Sequence, residues 1–159
     1  MRILLLFSVI LLTVSCQAQK NIEYNKIDNC TYYFDKNLKK NIYINAEKKA
    51  EYPDNLNEHT FIKSMLDNID YSNVADIWYE EGIIPNYLCR IILDNKGKVI
   101  LCKIAENKND NIAVLEIKKQ MERLIAQKKE RWMPAECDGK GVYSVVNINI
   151  RIPQSYFIK

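Results

Sequence analysis

Asn86-Tyr-Leu-Cys-Arg-Ile-Ile-Leu-Asp-Asn-Lys-Gly-Lys-Val-Ile-Leu-Cys-Lys-Ile104 reads as two β-rich runs, Asn86 to Leu93 and Lys98 to Ile104, joined at Asp94-Asn95-Lys96-Gly97. Gly97 can take the positive φ that a tight turn requires, and the flanks carry the aromatic and branched residues that favour strands. With Asn95 to Gly97 as a three-residue loop, Asp94 pairs with Lys98. Cys89 then falls opposite Lys103 and Cys102 opposite Arg90, on opposite faces, where they do not bridge. A four-residue loop, or a bulge near Ile100-Leu101, would change that register.

Helices are expected on both sides of this hairpin. Upstream, Phe61/Ile62, Met65/Leu66 and Ile69 recur at helical spacing, and Ser72 is placed to cap a shorter helix that runs through Glu81 and stops at Gly82. Downstream, Val114, Ile117, Met121, Leu124 and Ile125 form an apolar stripe between Asp110, the expected N-cap, and Glu130. Lys118, Lys119, Glu122 and Arg123 fall on its other side, and together with Lys128-Lys129 they read as a solvated face with basic residues at the helix end. A final strand follows the turn region of Gly139 and Gly141. It runs from Val142 to Ile152, with Val142, Val146, Ile148, Ile150 and Ile152 on one face and Tyr143, Val145, Asn147, Asn149 and Arg151 on the other.

The N-terminus reads as an address. Arg2 precedes an apolar core from Ile3 to Val14, about a dozen residues long, against the roughly 20 that span a bilayer. Residues 1–15 therefore read as a signal peptide. Ser15-Cys16 resembles a bacterial lipoprotein cleavage box, in which Cys16 becomes the lipidated first residue, with Thr13 in place of the usual leucine. A plain signal-peptidase cut after Ala18 is the competing reading. Both routes export the chain, to the periplasm or cell surface on a lipid anchor in the first case and as a soluble secreted protein in the second. About 140 residues then remain, the size of one domain.

The chain carries 23 basic and 20 acidic residues, a net charge of +3, which predicts neither a nucleic-acid footprint nor a specialist for acidic ligands. No second apolar run reaches membrane-spanning length, so membrane attachment is expected through the N-terminal lipid alone. Residues 16–41 form a lead-in rich in Asn, Lys and Tyr, either short strands or partly ordered chain. Four glycines and four prolines in the whole chain exclude a long polyproline or flexible spacer. Setting Cys16 aside, Cys30, Cys89, Cys102 and Cys137 form an even set in a compartment that permits disulfides. Cys30 and Cys137, outside the expected regular elements, are the favoured pair. The spacings contain no Cys-x-x-Cys, and the single histidine, His59, is remote in sequence, so no metal site and no cofactor are expected.

From Ile42 to Ile152 the chain resembles the TonB C-terminal domain family. Ile42-Tyr43-x-x-Ala46-Glu47 leads into Glu51-Tyr52-Pro53, similar to a Glu-(Phe/Tyr)-Pro-Gly-Gly element with Asp54-Asn55 at the glycine positions. Asn68-Ile69-x-Tyr71 resembles Asn-Leu-x-Tyr-Pro with Ser72 in place of proline. Gly82-Ile83 matches the Gly-Ile before the first strand, with Pro85 where a second glycine is usual. Arg131-Trp132-x-Pro134-Ala135, followed by Gly139 and the strand from Val142, is similar to the Trp-x-Pro-Ala…Gly…Val run. The resemblance implies an α+β domain at residues 42–152, a three-stranded antiparallel sheet packed on helices, with residues 153–159 as a tail. It does not extend to energy transduction, because the transmembrane anchor and proline-rich spacer of the energising proteins have no counterpart here.

In that family partner peptides add as an extra strand beside the last strand. The resemblance thus implies that Tyr143, Val145, Asn147, Asn149 and Arg151 contact an extended segment of an envelope or outer-membrane protein. The alternative is a solvated face with a partner-free edge. Trp132, between a helix and Pro134, reads as a core plug. His59 has no nucleophile partner, and Glu80-Glu81 are adjacent rather than facing across a cleft. No catalytic constellation can be assembled, so the expectation is a non-enzymatic protein-interaction module. The second expectation is an accessory component of TonB-dependent outer-membrane transport.

Overall fold

The turn at Asp94 to Gly97 forms as the sequence dictates. In the computed structural model, which describes residues 22–53, 56–128 and 131–157, Asp94 N–H donates to Lys98 O at 2.8 Å and the Asp94 carboxylate accepts N–H bonds from Lys96 and Lys98. Gly97 adopts φ +77°, and a Cβ there would meet the Trp132 carbonyl oxygen at 1.7 Å, so the position excludes every side chain. The signal peptide, Cys16 and its cleavage site, the Asp54-Asn55 turn, and Lys129 with Glu130 lie outside the described residues.

The expected register past that turn is corrected. Strands β4 (Asn86–Leu93) and β5 (Val99–Ile104) pair Leu93 with Val99 but Ile92 with Leu101, leaving Ile100 as the extra residue of a bulge. The bulge shifts every later pair by one, so Cys89 lies opposite Ile104 and Cys102 opposite Ile91, both thiols facing the core. Their sulfurs are 3.5 Å apart and unbonded. The contact with Cys89 and burial push the Cys102 thiol well above its ordinary range.

The molecule is α+β, but its main sheet has six strands rather than three. The order is β1 (Tyr24–Ile27), β2 (Cys30–Asp35), β3 (Lys40–Asn45), β8 (Ser144–Arg151), β4, β5. The lead-in supplies β1 and β2, and the boundary expected at residue 42 falls inside β3. Antiparallel pairing holds β8, β4 and β5 together, whereas β3 meets β8 in parallel at a single rung, Tyr43 opposite Ser144. The last strand is also shorter than expected. Lys140–Val142 (β7) instead pairs with Ala135–Cys137 (β6) across Asp138-Gly139, both at positive φ, as a two-residue hairpin turn requires.

Helices α1 (Glu58–Leu66), α2 (Ala75–Glu80) and α3 (Ile112–Gln127) contribute the other half of the main core. Asn57 caps α1 in a capping box with Thr60. Ser72 does not cap α2: its N–H donates to Asp70 Oδ1 and the helix begins after Val74. Gly82 does end it, at φ +63°, with Ile83 N–H returning to Trp78 O at 2.8 Å. Asn111 rather than Asp110 caps α3, accepting Val114 N–H at 2.9 Å. Asp110 is drawn away by Lys118, whose Nζ sits 2.6 Å from its carboxylate, bonds the Ala105 carbonyl and lies over the Tyr87 ring. Lys118 is 3% exposed, so the solvated face expected for the α3 lysines does not include it.

One sheet face carries the main core: Tyr87, Cys89, Ile91, Ile148, Ile150 and Ile152 meet Phe61, Met65, Trp78, Ile117, Met121 and Ile125. The other face is covered only at one end, where Tyr33, Ile42 and Ile92 pack with Leu38, Tyr143 and Val145. Most of that second face is therefore left open.

Candidate functional site

Backbone polarity decides which part of β8 can accept another strand. Ile152 N–H donates to Pro85 O at 3.0 Å, on the β4 side, while Tyr143 O accepts Tyr43 N–H at 2.8 Å, on the β3 side. Because N–H and C=O groups alternate in direction along a strand, odd-numbered residues from 143 to 151 turn theirs away from β4. The single rung to β3 uses up this edge near residues 143–145. Beyond it, Asn147, Asn149 and Arg151 present backbone donors and acceptors over about 13 Å of edge with no strand beside them among the described residues.

The five expected contact residues consequently divide. Asn147, Asn149 and Arg151 are exposed on the unpaired stretch. Tyr143 and Val145 are not available in that way, because the β2–β3 hairpin folds over them. Both belong to the small second core, and Lys40 covers the Tyr143 ring at 5.4 Å.

A crevice lies at each end of the unpaired edge. Where β3 splays away from β8, a space of about 260 Å³ is lined by Ala46, Lys49, Ala50, Ala135 and Ser144 to Asn147. Ser144 is buried there, and its hydroxyl has no hydrogen-bond partner among the described residues. An unmet hydroxyl of this kind costs about 1–3 kcal/mol in a folded protein, which makes it a place where a ligand group or a water is favoured. At the other end Arg151 borders a cleft of about 410 Å³ lined also by His59, Ile62, Asp67 and Tyr156. Hydrogen bonds from Lys63 and Tyr156 hold the Asp67 carboxyl below its ordinary value, so that wall is anionic but already engaged.

The open face of the sheet beside this edge has its own character. A groove of about 610 Å³ runs over Arg90, Lys103 and Asn147, walled by Tyr24, Ile44 and Leu88, and no carboxylate is among its lining residues. Asn147, Arg90 and Lys103 stand side by side on three neighbouring strands. Arg90 Nη2 donates to the Tyr33 hydroxyl at 2.6 Å, and Lys103 lies 3.4 Å from Glu122 across the outer edge of β5. Sequence reasoning did not single out Arg90, Lys103, Leu88 or Ser144. The alternation of Leu88 and Arg90 with buried Tyr87, Cys89 and Ile91 was the available signal, but the bulge at Ile100 concealed which β5 residues join them.

The remaining sites have structural explanations. Cys30 and Cys137 are joined by a disulfide that closes a separation of 107 residues and ties β2 to β6. Glu47 lies within metal-ligand reach of both sulfurs, but they are bonded to each other, and its carboxylate accepts the Asp138 N–H at 3.1 Å. Replacing both cysteines with serine is expected to lower stability by about 2–4 kcal/mol through the freedom returned to the unfolded chain. Chemical denaturation of the double variant beside the reduced and oxidised parent checks this, and an unchanged midpoint would contradict it. Trp132 is 3% exposed, with ring centroids of Tyr52 at 4.7 Å and Phe61 at 5.2 Å. No helix among the described residues is long and apolar enough to cross a membrane, which leaves β-barrel spans unaddressed. Compared with family models, curated proteins and solved structures, the chain finds no match.

Proposed function

We propose that this chain is an exported, non-enzymatic interaction module of TonB C-terminal-like character, which binds an extended segment of an envelope protein by adding it to β8. The observation that carries the reading is the unpaired edge at Asn147, Asn149 and Arg151, bounded by a crevice at each end. An added strand would gain main-chain hydrogen bonds along that edge, and its terminal side chains would enter the two crevices. Export rests on the N-terminal apolar run, and attachment on lipidation of Cys16. Cys16→Ser is expected to move the protein from the membrane to the soluble fraction, whereas a native N-terminus at Gln19 would leave secretion without a lipid.

Proline distinguishes the edge from the ladder. Asn147→Pro and Asn149→Pro remove outward N–H groups and are expected to keep the fold while losing peptide binding. Ile148→Pro removes a bond to β4 and is expected to unfold the sheet. Decapeptides selected from a random library on the parent chain supply the ligands, and hydrogen exchange at Asn147, Asn149 and Arg151 reads their position. Peptides that protect these three amides and fail to bind Asn147→Pro support strand addition. Undiminished binding by folded Asn147→Pro and Asn149→Pro variants would remove this edge from consideration.

A further inference from the structure

The open face beside the edge has a charge that the chain as a whole lacks. Its exposed positions on β8, β4 and β5 are Asn147, Asn149 and Arg151, then Asn86, Leu88 and Arg90, then Leu101 and Lys103. Three are cations and none is an acid, in a chain whose basic and acidic residues nearly balance. The arrangement is also internally unfavourable: Arg90 and Lys103 stand directly opposite each other on paired strands, where like charges repel. Among the described residues Glu122, half-buried beyond the outer edge of β5 and held there by the Ile104 N–H, pairs with Lys103 at 3.4 Å, which leaves Arg90 as the cation of the groove with no acidic partner. Arg90 spends one donor on Tyr33 and stacks against that ring at 5.6 Å, which fixes its guanidinium without neutralising it.

Apolar surface surrounds these cations. Leu88 is 50% exposed, Tyr24 56% and Ile44 45%, and all three wall the groove that holds Arg90 and Lys103. Asn147 belongs to both the groove and the unpaired edge, so the two surfaces are continuous. We infer that the segment bound here is acidic: an extended peptide carrying aspartate or glutamate side chains interspersed with apolar ones, its carboxylates on the open face against Arg90 and Arg151, with Lys103 farther off on β5 adding to the field. This rests on the strand-addition reading above and adds the chemistry of the partner to it. Charge complementarity favours a carboxylate-bearing segment, because a carboxylate reaching Arg90 gains a charge-assisted bond to a guanidinium that has no acidic partner among the described residues.

Two labelled decapeptides test it, one alternating valine with aspartate and the other valine with asparagine, measured by fluorescence anisotropy against the full chain. The acidic peptide is expected to bind about tenfold more tightly or better, since one charge-assisted bond is worth that much, and to weaken as salt rises. Lys103→Gln and Arg151→Gln lie at exposed positions, so they should fold normally; Arg151→Gln should weaken the acidic peptide severalfold and the more distant Lys103→Gln less, with the neutral peptide unchanged by either. Equal binding of the two peptides, protecting the amides of Asn147, Asn149 and Arg151, overturns acidic selection and leaves strand addition standing. Tight binding of the acidic peptide without that protection supports the cationic face and overturns strand addition. Binding of neither peptide overturns the inference, as does association with phosphatidylglycerol vesicles that is lost in Lys103→Gln while the acidic peptide fails to bind.

Discussion

Trp132→Ala is expected to lower stability by about 3–5 kcal/mol, a large fraction of the roughly 5–15 kcal/mol that a folded domain has. The ring is buried against Tyr52 and Phe61, so truncation opens a cavity between α1 and the chain that enters it. Its backbone matters as much: Trp132 N–H donates to Gly97 O at 3.0 Å, and its carbonyl occupies the space beside the glycine. Residue 132 therefore connects the tip of the β4–β5 hairpin to the helical layer. Denaturant unfolding with unchanged slope and a lowered midpoint is the expected record. A midpoint that barely moves while peptide binding disappears would make Trp132 a contact residue instead.

Lys118→Ala should be comparably severe, about 3–5 kcal/mol, because it strands the Asp110 carboxylate at a site where both groups are almost fully enclosed. Asp110→Leu combined with Lys118→Met removes both charges and is expected to cost less than Lys118→Ala alone. The pair also sets a pH dependence. Burial pushes the Asp110 carboxyl up, but hydrogen bonds from Lys118 and Asn107 and the ammonium charge outweigh it and hold the group below its ordinary value. A carboxyl depressed in the folded state stabilises fully above its unfolded pKa of about 3.9, and that contribution is lost as pH falls through the folded value. Asp67 and Asp70 are depressed as well, so the parent should lose stability below about pH 4. The double variant should lose less over the same interval. Parallel acid-denaturation curves for the two proteins would contradict the assignment to Asp110.

What the sequence made legible follows from how local each signal is. Asp94 and Gly97 specify a turn by their own chemistry, and Gly82 specifies a helix end, so both formed where expected. The register beyond the turn was not legible, because Val99, Ile100 and Leu101 are three apolar residues in a row and any of them can be the bulged one. Lys118 was misplaced for a related reason: helical spacing puts it beside the apolar stripe, and only a partner eight residues earlier in sequence makes it internal. The three-stranded sheet was too small because Tyr32-Tyr33-Phe34 and Ile42-Tyr43-Ile44 are short runs that pair with each other, and only the rung from Tyr43 to Ser144, 101 residues on, joins them to the main sheet. The candidate edge itself is a statement about which strands are missing beside β8. Alternation along one strand identified Asn147, Asn149 and Arg151 as outward, but it carried no information on the rung that removes Tyr143 and Val145.

The position of β8 has a consequence for how the molecule comes into being. Among the described residues it is the last strand in sequence and yet lies in the middle of the sheet, between β3 and β4. A chain that has emerged only as far as residue 143 holds two separate hairpin units, β1–β3 and β4–β5, with nothing to join them. The Cys30–Cys137 bond can link the first unit to β6 by then, but no ladder joins the two units until β8 pairs with both β3 and β4. Closing the sheet waits for residues 144–151, which makes assembly a long-range event rather than one that proceeds hairpin by hairpin. A truncation at Tyr143 should therefore yield a chain that collapses without native sheet, and adding residues 144–159 as a separate peptide is the direct way to watch the fold close.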